Sequence, residues 1–211
     1  MFWLFILYLV IVIIMHELGH LISAKLVGCG VDKFSVGFGK PLFSKKFGET
    51  TYQITPWLFG GYCSLVGETE NSNNSKAFSN LRYRSKVILI TAGCLVNIIT
   101  GLIFLGIFKW GIESYNIFLF GYLSLVLGIT NLIPFPALDG SYPILVWLEK
   151  LMGKEKGYDL MGKIITVGFN ILMVLNVASV IWAVWYWRNN ILIYIVNSLW
   201  NIIIFLTRFI A

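Results

Sequence analysis

The sequence predicts an α-helical polytopic membrane protein with about five transmembrane helices and a small membrane-associated β-sheet after the first. Three observations carry that prediction. Of 211 residues, 58% are hydrophobic and 12% charged, with a mean hydropathy of +0.80. A soluble domain runs near half apolar and a quarter charged, so there is too little polar surface here to cover a soluble globule. Apolar runs of about 20 residues, the length that crosses a bilayer, recur along the chain. Basic residues gather beside those runs, nine of the 16 between Lys25 and Lys86 and four more between Lys150 and Lys163, as topology signals do. Disorder is excluded by the same figures, and three cysteines exclude a disulfide scaffold. The net charge of +6 reads as contact with the anionic headgroups of a lipid bilayer. No aromatic-interleaved basic stripe points to nucleic acid.

The first run, Met1 to about Val27, carries His16, Glu17 and His20 in a stretch otherwise uncharged as far as Lys25. As a helix it is roughly 40 Å long, enough to span. No basic segment precedes it, so it reads as a retained helix and not as a cleaved signal peptide. Gly28 and Gly30 end it. In residues 31–67, Lys33–Phe38 and Thr51–Ile54 alternate with the period of two expected of strands, and Lys45, Lys46, Gly48 and Glu49 mark a turn between them. This segment reads as a small sheet or hairpin at the membrane surface. Asn71–Ser75 is a polar loop. A second helix is expected over about 86–108 and a third over 117–133, broken at Pro134 and Pro136. A half-helix follows over Ser141–Leu151, then a fourth helix over 162–187 and a fifth over 191–209. No internal repeat is visible.

Placing the N-terminus outside puts 14 of the 16 basic residues inside, leaving Lys109 and Arg188 outside. The charge bias therefore predicts that orientation, and the expected location is the plasma membrane. Trp182, Trp185 and Trp187 then sit near the outer end of the fourth helix as part of an aromatic belt. Cys29, Cys63 and Cys94 lack metal-like spacing and read as unpaired thiols facing the reducing side.

Ionisable groups inside a span are expensive, so each is a candidate for function. His16-Glu17-Leu18-Gly19-His20 is an H-E-x-x-H. A spacing of four puts both imidazoles on one helical face, where they can share one tetrahedral zinc. The intervening Glu17 can reach a zinc-bound water as general base. Chance produces this pattern in about 1% of chains of this size, and both histidines of the chain are in it. Burying three polar groups without function would cost several kcal/mol. Two histidines leave the site one protein ligand short, and outside Glu17 the acid within the apolar spans is Asp139. It follows two prolines that break a helix at membrane depth, which is tolerated only around a cavity or a protein-lined site. Asp139 either points inward to a metal or N-caps the half-helix; beside two zinc-spaced histidines the ligand reading is the stronger.

The sequence resembles the site-2 protease family of intramembrane zinc metalloproteases. Besides the H-E-x-x-H, Phe34–Gly39 is similar to the family's strand after the first helix. Pro56–Glu68, with Phe59-Gly60-Gly61-Tyr62 inside it, resembles the membrane-associated β-segment. Ala92–Asn97 is similar to its A-G-P-x-x-N, and Asn131–Gly140 to its N-x-x-P-x-P-x-L-D-G. The likeness covers roughly residues 1–152, as a catalytic membrane core that includes the β-segment 31–67, with 153–211 as two additional helices.

The resemblance implies that His16, His20 and Asp139 bind one zinc per chain and that Glu17 is the catalytic base. It implies a three-helix catalytic core whose active site faces the cytoplasmic side. Cys94 stands where a proline is usual and Ser141 where a second glycine is frequent, with neither expected to touch the ligands. No PDZ or CBS domain is expected. The implied reaction is hydrolysis of a peptide bond in or near a substrate's transmembrane helix, as in regulated intramembrane proteolysis. Asn97 or Asn131 could aid the oxyanion; alternatively Asn97 hydrogen-bonds between helices and Asn131 satisfies carbonyls freed by the proline break. A β-edge within 31–67, with Gly60 and Gly61 allowing a turn or a close backbone approach, could hold unwound substrate. The rival readings are a metal or proton transporter and a catalytically idle membrane scaffold. The transporter is disfavoured by a single visible helix break, the scaffold by an intact Glu17.

Overall fold

The first helix, α1 (Phe2–Leu26), has no apolar stripe because it is apolar nearly all round, as a membrane helix is. It stops at Gly28, which takes the left-handed conformation (φ +78°). The amides of Gly28 and Cys29 then bond back to the carbonyls of Lys25 and Ala24, the pattern that satisfies a helix C-terminus. This computed structural model describes residues 2–68, 73–112, 114–153, 155–157, 159–172, 174–175, 177–179, 181–182 and 185–186.

The segment after α1 forms four strands: β1 (Val31–Phe38), β2 (Phe43–Phe47), β3 (Thr50–Ile54) and β4 (Trp57–Leu65), in the order β2-β3-β1-β4. β1 runs parallel to β3 and antiparallel to β4. The sheet is richer than the two strands the alternation predicts. Lys45 and Lys46 are not in the turn but inside β2, opposite Tyr52 and Thr51. The turn is confined to Gly48 (φ +61°) and Glu49. β2 is an edge strand and exposed throughout, a position where lysines are common.

Helix α2 (Tyr83–Lys109) and helix α3 (Tyr115–Asn131) pack along each other, with Ser124 Oγ donating to the Asn97 carbonyl oxygen at 2.9 Å. Pro134 and Pro136 follow α3; the residue before a proline is pushed out of the helical region, so the chain leaves the helix there. It turns through Ala137 (φ +76°) and a 3₁₀ turn at Asp139–Ser141 into α4 (Tyr142–Met152). By length and composition, Trp3–Leu26, Tyr83–Lys109 and Glu155–Ser179 can each cross a membrane; α3 is a shorter apolar helix of 17 residues. The fourth helix thus begins earlier than its hydropathy predicts. The expected fifth helix and Trp187 lie outside the described residues.

The chain divides into two compact units, 1–166 and 167–211. In the first, Leu21 and Ala24 of α1, Phe34 of β1, Leu89 of α2 and Val146 of α4 meet in one core where the sheet covers the helix ends. At the rim of that core, Lys86 of α2 and Glu149 of α4 form a buried ion pair at 2.7 Å, with the ammonium 5.2 Å from the Phe78 ring centre. The three cysteines are free. Burial pushes the Cys29 thiol up to about 11, so it stays protonated at neutral pH.

Candidate metal centre

Helical periodicity puts His16 and His20 on the same face of α1, and both are buried against α2. Two glycines let the helices come that close. A Cβ on Gly19 would stand 2.8 Å from the Gly93 Cα, and one on Gly93 would run into the His20 ring and lie 2.8 Å from the His16 carbonyl oxygen. The imidazoles stand edge to face with centres 4.8 Å apart. His20 Nδ1 lies 3.0 Å from the Leu89 carbonyl oxygen. Donation to that carbonyl assigns the proton to Nδ1 and leaves Nε2 as the free electron pair.

Asp139 arrives from the far side. The stretch after α3 folds back so tightly that a Cβ on Gly140 would overlap the Leu132 carbonyl. Asp139 Oδ2 thereby comes to 2.9 Å from His16 Nε2 and 3.2 Å from His20 Nε2, and the two Nε2 atoms are 3.2 Å apart. Donors about 2.0–2.1 Å from a tetrahedral zinc stand roughly 3.3 Å from one another. The three observed separations fit that spacing, and a nitrogen-rich set with one carboxylate suits zinc. The N-cap reading of Asp139 does not hold. Ser141 occupies the cap position of α4, and no side chain caps it.

The structure corrects one expectation. Cys94 does touch a proposed ligand, its thiol donating to Asp139 Oδ2 at 3.3 Å. The cause is the position of residue 94 on α2, one residue past the Gly93 contact and facing the same carboxylate. The Ser141 hydroxyl donates to the Leu138 carbonyl oxygen.

The other expected residues gather at the same place. Asn131 Nδ2 is 3.5 Å from His16 Nε2, and Asn97 Nδ2 is 3.3 Å from His16 Nδ1. Glu17, half-buried, has its Cγ against Gly61 of β4. Gly60 and Gly61 lie in a strand and not in a turn. Gly60 sits under the Phe38 ring and Gly61 under Glu17 and the Ser35 carbonyl, so close approach is what these glycines allow. Gly19 and Gly93 had no role in the sequence reading; the signal for Gly19 was a small residue next to His20. It also passed over Glu68, which accepts from Tyr142 Oη at 2.8 Å and the Leu65 amide at 3.2 Å, joining the end of β4 to the start of α4.

Fold and site together define a class: a helical membrane protein in which two histidines and one aspartate come close enough together to hold a metal ion. Peptidase family M50 matches residues 4–111 and 106–175, and the chain belongs to that family. A protein of Clostridium perfringens, named provisionally as a zinc metalloprotease, is 38% identical over 96 residues, which are 45% of this chain and 29% of that protein. Similarly named proteins of Neisseria meningitidis and Thermotoga maritima are 35% and 37% identical over 115 residues, covering 52% and 51% of this chain and 26% and 23% of theirs. The chain thus matches about a quarter of the length of these relatives. The solved structure of a site-2 protease from Methanocaldococcus jannaschii shares the fold, with a TM-score of 0.50 and 21% identity over 82% of this chain and 67% of that one.

Proposed function

We propose that the chain is an intramembrane zinc metalloprotease of the site-2 protease type, cleaving a peptide bond in or near the transmembrane segment of a membrane-protein substrate. The observation that carries this reading is the meeting of both Nε2 atoms at one Asp139 oxygen, with a glutamate one residue from His16. His16, His20 and Asp139 would hold the ion. Zinc bound there supplies Lewis acidity, polarising the scissile carbonyl and lowering the pKa of water. Glu17 takes the proton of the attacking water and passes it to the leaving amine. The Asn131 amide donates toward the carbonyl oxygen as negative charge develops on it.

A helical substrate hides its peptide bonds and must be unwound before attack. β4 is an edge strand in the order β2-β3-β1-β4, and its outer edge pairs with no strand among the described residues. An unwound substrate adds to that edge by backbone hydrogen bonds. Gly60 and Gly61 keep this part of the strand close to Glu17. Residues 1–152 form the catalytic core and 153–211 an addition to it. With the N-terminus outside, the site opens to the cytoplasmic side of the plasma membrane; the basic residues around 25–86 support that orientation.

The test is Glu17→Gln, expressed beside the parent chain with a single-span reporter whose transmembrane helix contains glycine and asparagine. The expected result is reporter cleavage by the parent and none by the variant, with both purifying at about one zinc per chain. Cleavage equal in the two would overturn the reading. Metal transport in both without cleavage would favour the transporter.

A further inference from the structure

Asn97 is wholly buried on α2. Its Nδ2 faces His16 Nδ1 at 3.3 Å, while its Oδ1 has no hydrogen-bond partner among the described residues. A side-chain amide nitrogen only donates, so this arrangement requires an unprotonated Nδ1 on His16. An imidazole that gives its Nε2 electron pair to a metal carries its proton on Nδ1 and needs an acceptor there. Oxygen and nitrogen of an asparagine amide exchange places by a half-turn about the last side-chain bond, and only the hydrogen-bond network distinguishes them. That half-turn sets Oδ1 against the His16 Nδ1–H and turns the amide nitrogen to the place that Oδ1 held.

We infer that Asn97 is a positioning residue of the metal centre: its Oδ1 accepts the His16 Nδ1–H and holds that ring with Nε2 toward Asp139. The inference rests on the reading of His16 as a metal ligand. It makes the two histidines alike, since His20 gives its own Nδ1–H to the Leu89 carbonyl oxygen, also on α2. One helix thus supplies the acceptor for both rings, eight residues apart. The Asn97 backbone is pinned in turn by Ser124 of α3. A metal-ligating histidine is commonly held in this way, and loss of the partner weakens metal binding by about 10–100-fold. The inference also separates Asn97 from Asn131, leaving the oxyanion to Asn131.

The experiment measures zinc affinity of the purified full chain by competition with a chromophoric chelator, for the parent, Asn97→Ala and Asn97→Asp. Asn97→Ala is expected to bind zinc about 10–100-fold more weakly. Asn97→Asp keeps an acceptor at the same reach and is expected to restore affinity. Parent-like affinity in Asn97→Ala, or equal losses in Ala and Asp, would overturn the inference while leaving the zinc site standing. A parent that binds no zinc would overturn the metal reading itself. If Asn97→Ala does not fold, ring nitrogen-15 spectra of the zinc-loaded parent decide, since the chain has two histidines. A protonated, slowly exchanging His16 Nδ1 is expected, and an unprotonated one would overturn the inference.

Discussion

Glu17 and Gly61 are packed against each other: a methyl group added to Gly61 would stand 3.0 Å from the Glu17 Cγ and 2.8 Å from the Ser35 carbonyl oxygen. The helix that carries the proposed base and the edge strand proposed to hold substrate therefore meet with no spare room. Gly61→Ala must displace one of them. Displacements of about 1 Å near reacting groups cost up to 10²-fold in rate. Reporter cleavage is expected to fall at least about ten-fold in Gly61→Ala, with zinc content unchanged. Gly106→Ala, where the added methyl meets nothing within 4 Å, is the matched control and should cleave like the parent. Equal cleavage by Gly61→Ala would remove the contact from the mechanism.

Among the described residues, Asp139 is the one carboxylate whose oxygen meets both Nε2 atoms. Because an ion held by fewer ligands is released more easily, Asp139→Ala should purify with far less than the expected one zinc per chain. Elemental analysis of both proteins at equal purity checks this. Full zinc retention would exclude Asp139 as an essential ligand.

The buried Lys86–Glu149 pair ties α2 to the helix that follows Asp139. Removing one partner of such a pair leaves an uncompensated charge and costs about 3–5 kcal/mol, whereas replacing both by apolar residues is often neutral. Lys86→Met and Glu149→Met should each lower the unfolding temperature in detergent. The double variant should recover most of the loss. A double variant as unstable as the sum of the two would contradict the pairing.

Glu68 supplies a pH dependence outside the spanning helices. Burial raises its carboxyl above the ordinary value of 4.5, despite hydrogen bonds from Tyr142 and the Leu65 amide that favour the charged form. The folded protein then holds a proton there that the unfolded chain gives up, so stability falls as pH rises above 4.5 until the folded value is passed. Glu68→Gln should flatten that fall, measured as unfolding temperature from pH 4 to pH 8. A variant with an unchanged pH profile would show that Glu68 does not titrate differently on folding.

Much of the site was legible before any fold was known. Helix periodicity alone puts residues 16 and 20 on one face, and two prolines alone break a helix, so the shared face of His16 and His20 and the break before Asp139 follow from local rules. The sheet was less legible. Alternation revealed β1 and β3, but the lysines of β2 read as a turn, because an edge strand carries the same residues that a turn does. The start of the helix after α4 was misplaced for a similar reason: its first turns, from Glu155, are charged and join the span without an apolar signal.

The sequence by itself determined the membrane class and the first two spans, and it named three candidate donors and a candidate base. These depend on composition and on spacings within a single element. The tertiary structure alone decided that Asp139, 119 residues from His20, brings one oxygen to both rings, and that Asn97, 81 residues from His16, faces its Nδ1. It alone set Gly93 under His20, Gly61 under Glu17 and the Cys94 thiol on Asp139. Each of these is a contact between separate elements, fixed by how closely two backbones can approach, and no pattern along one strand or helix encodes that distance.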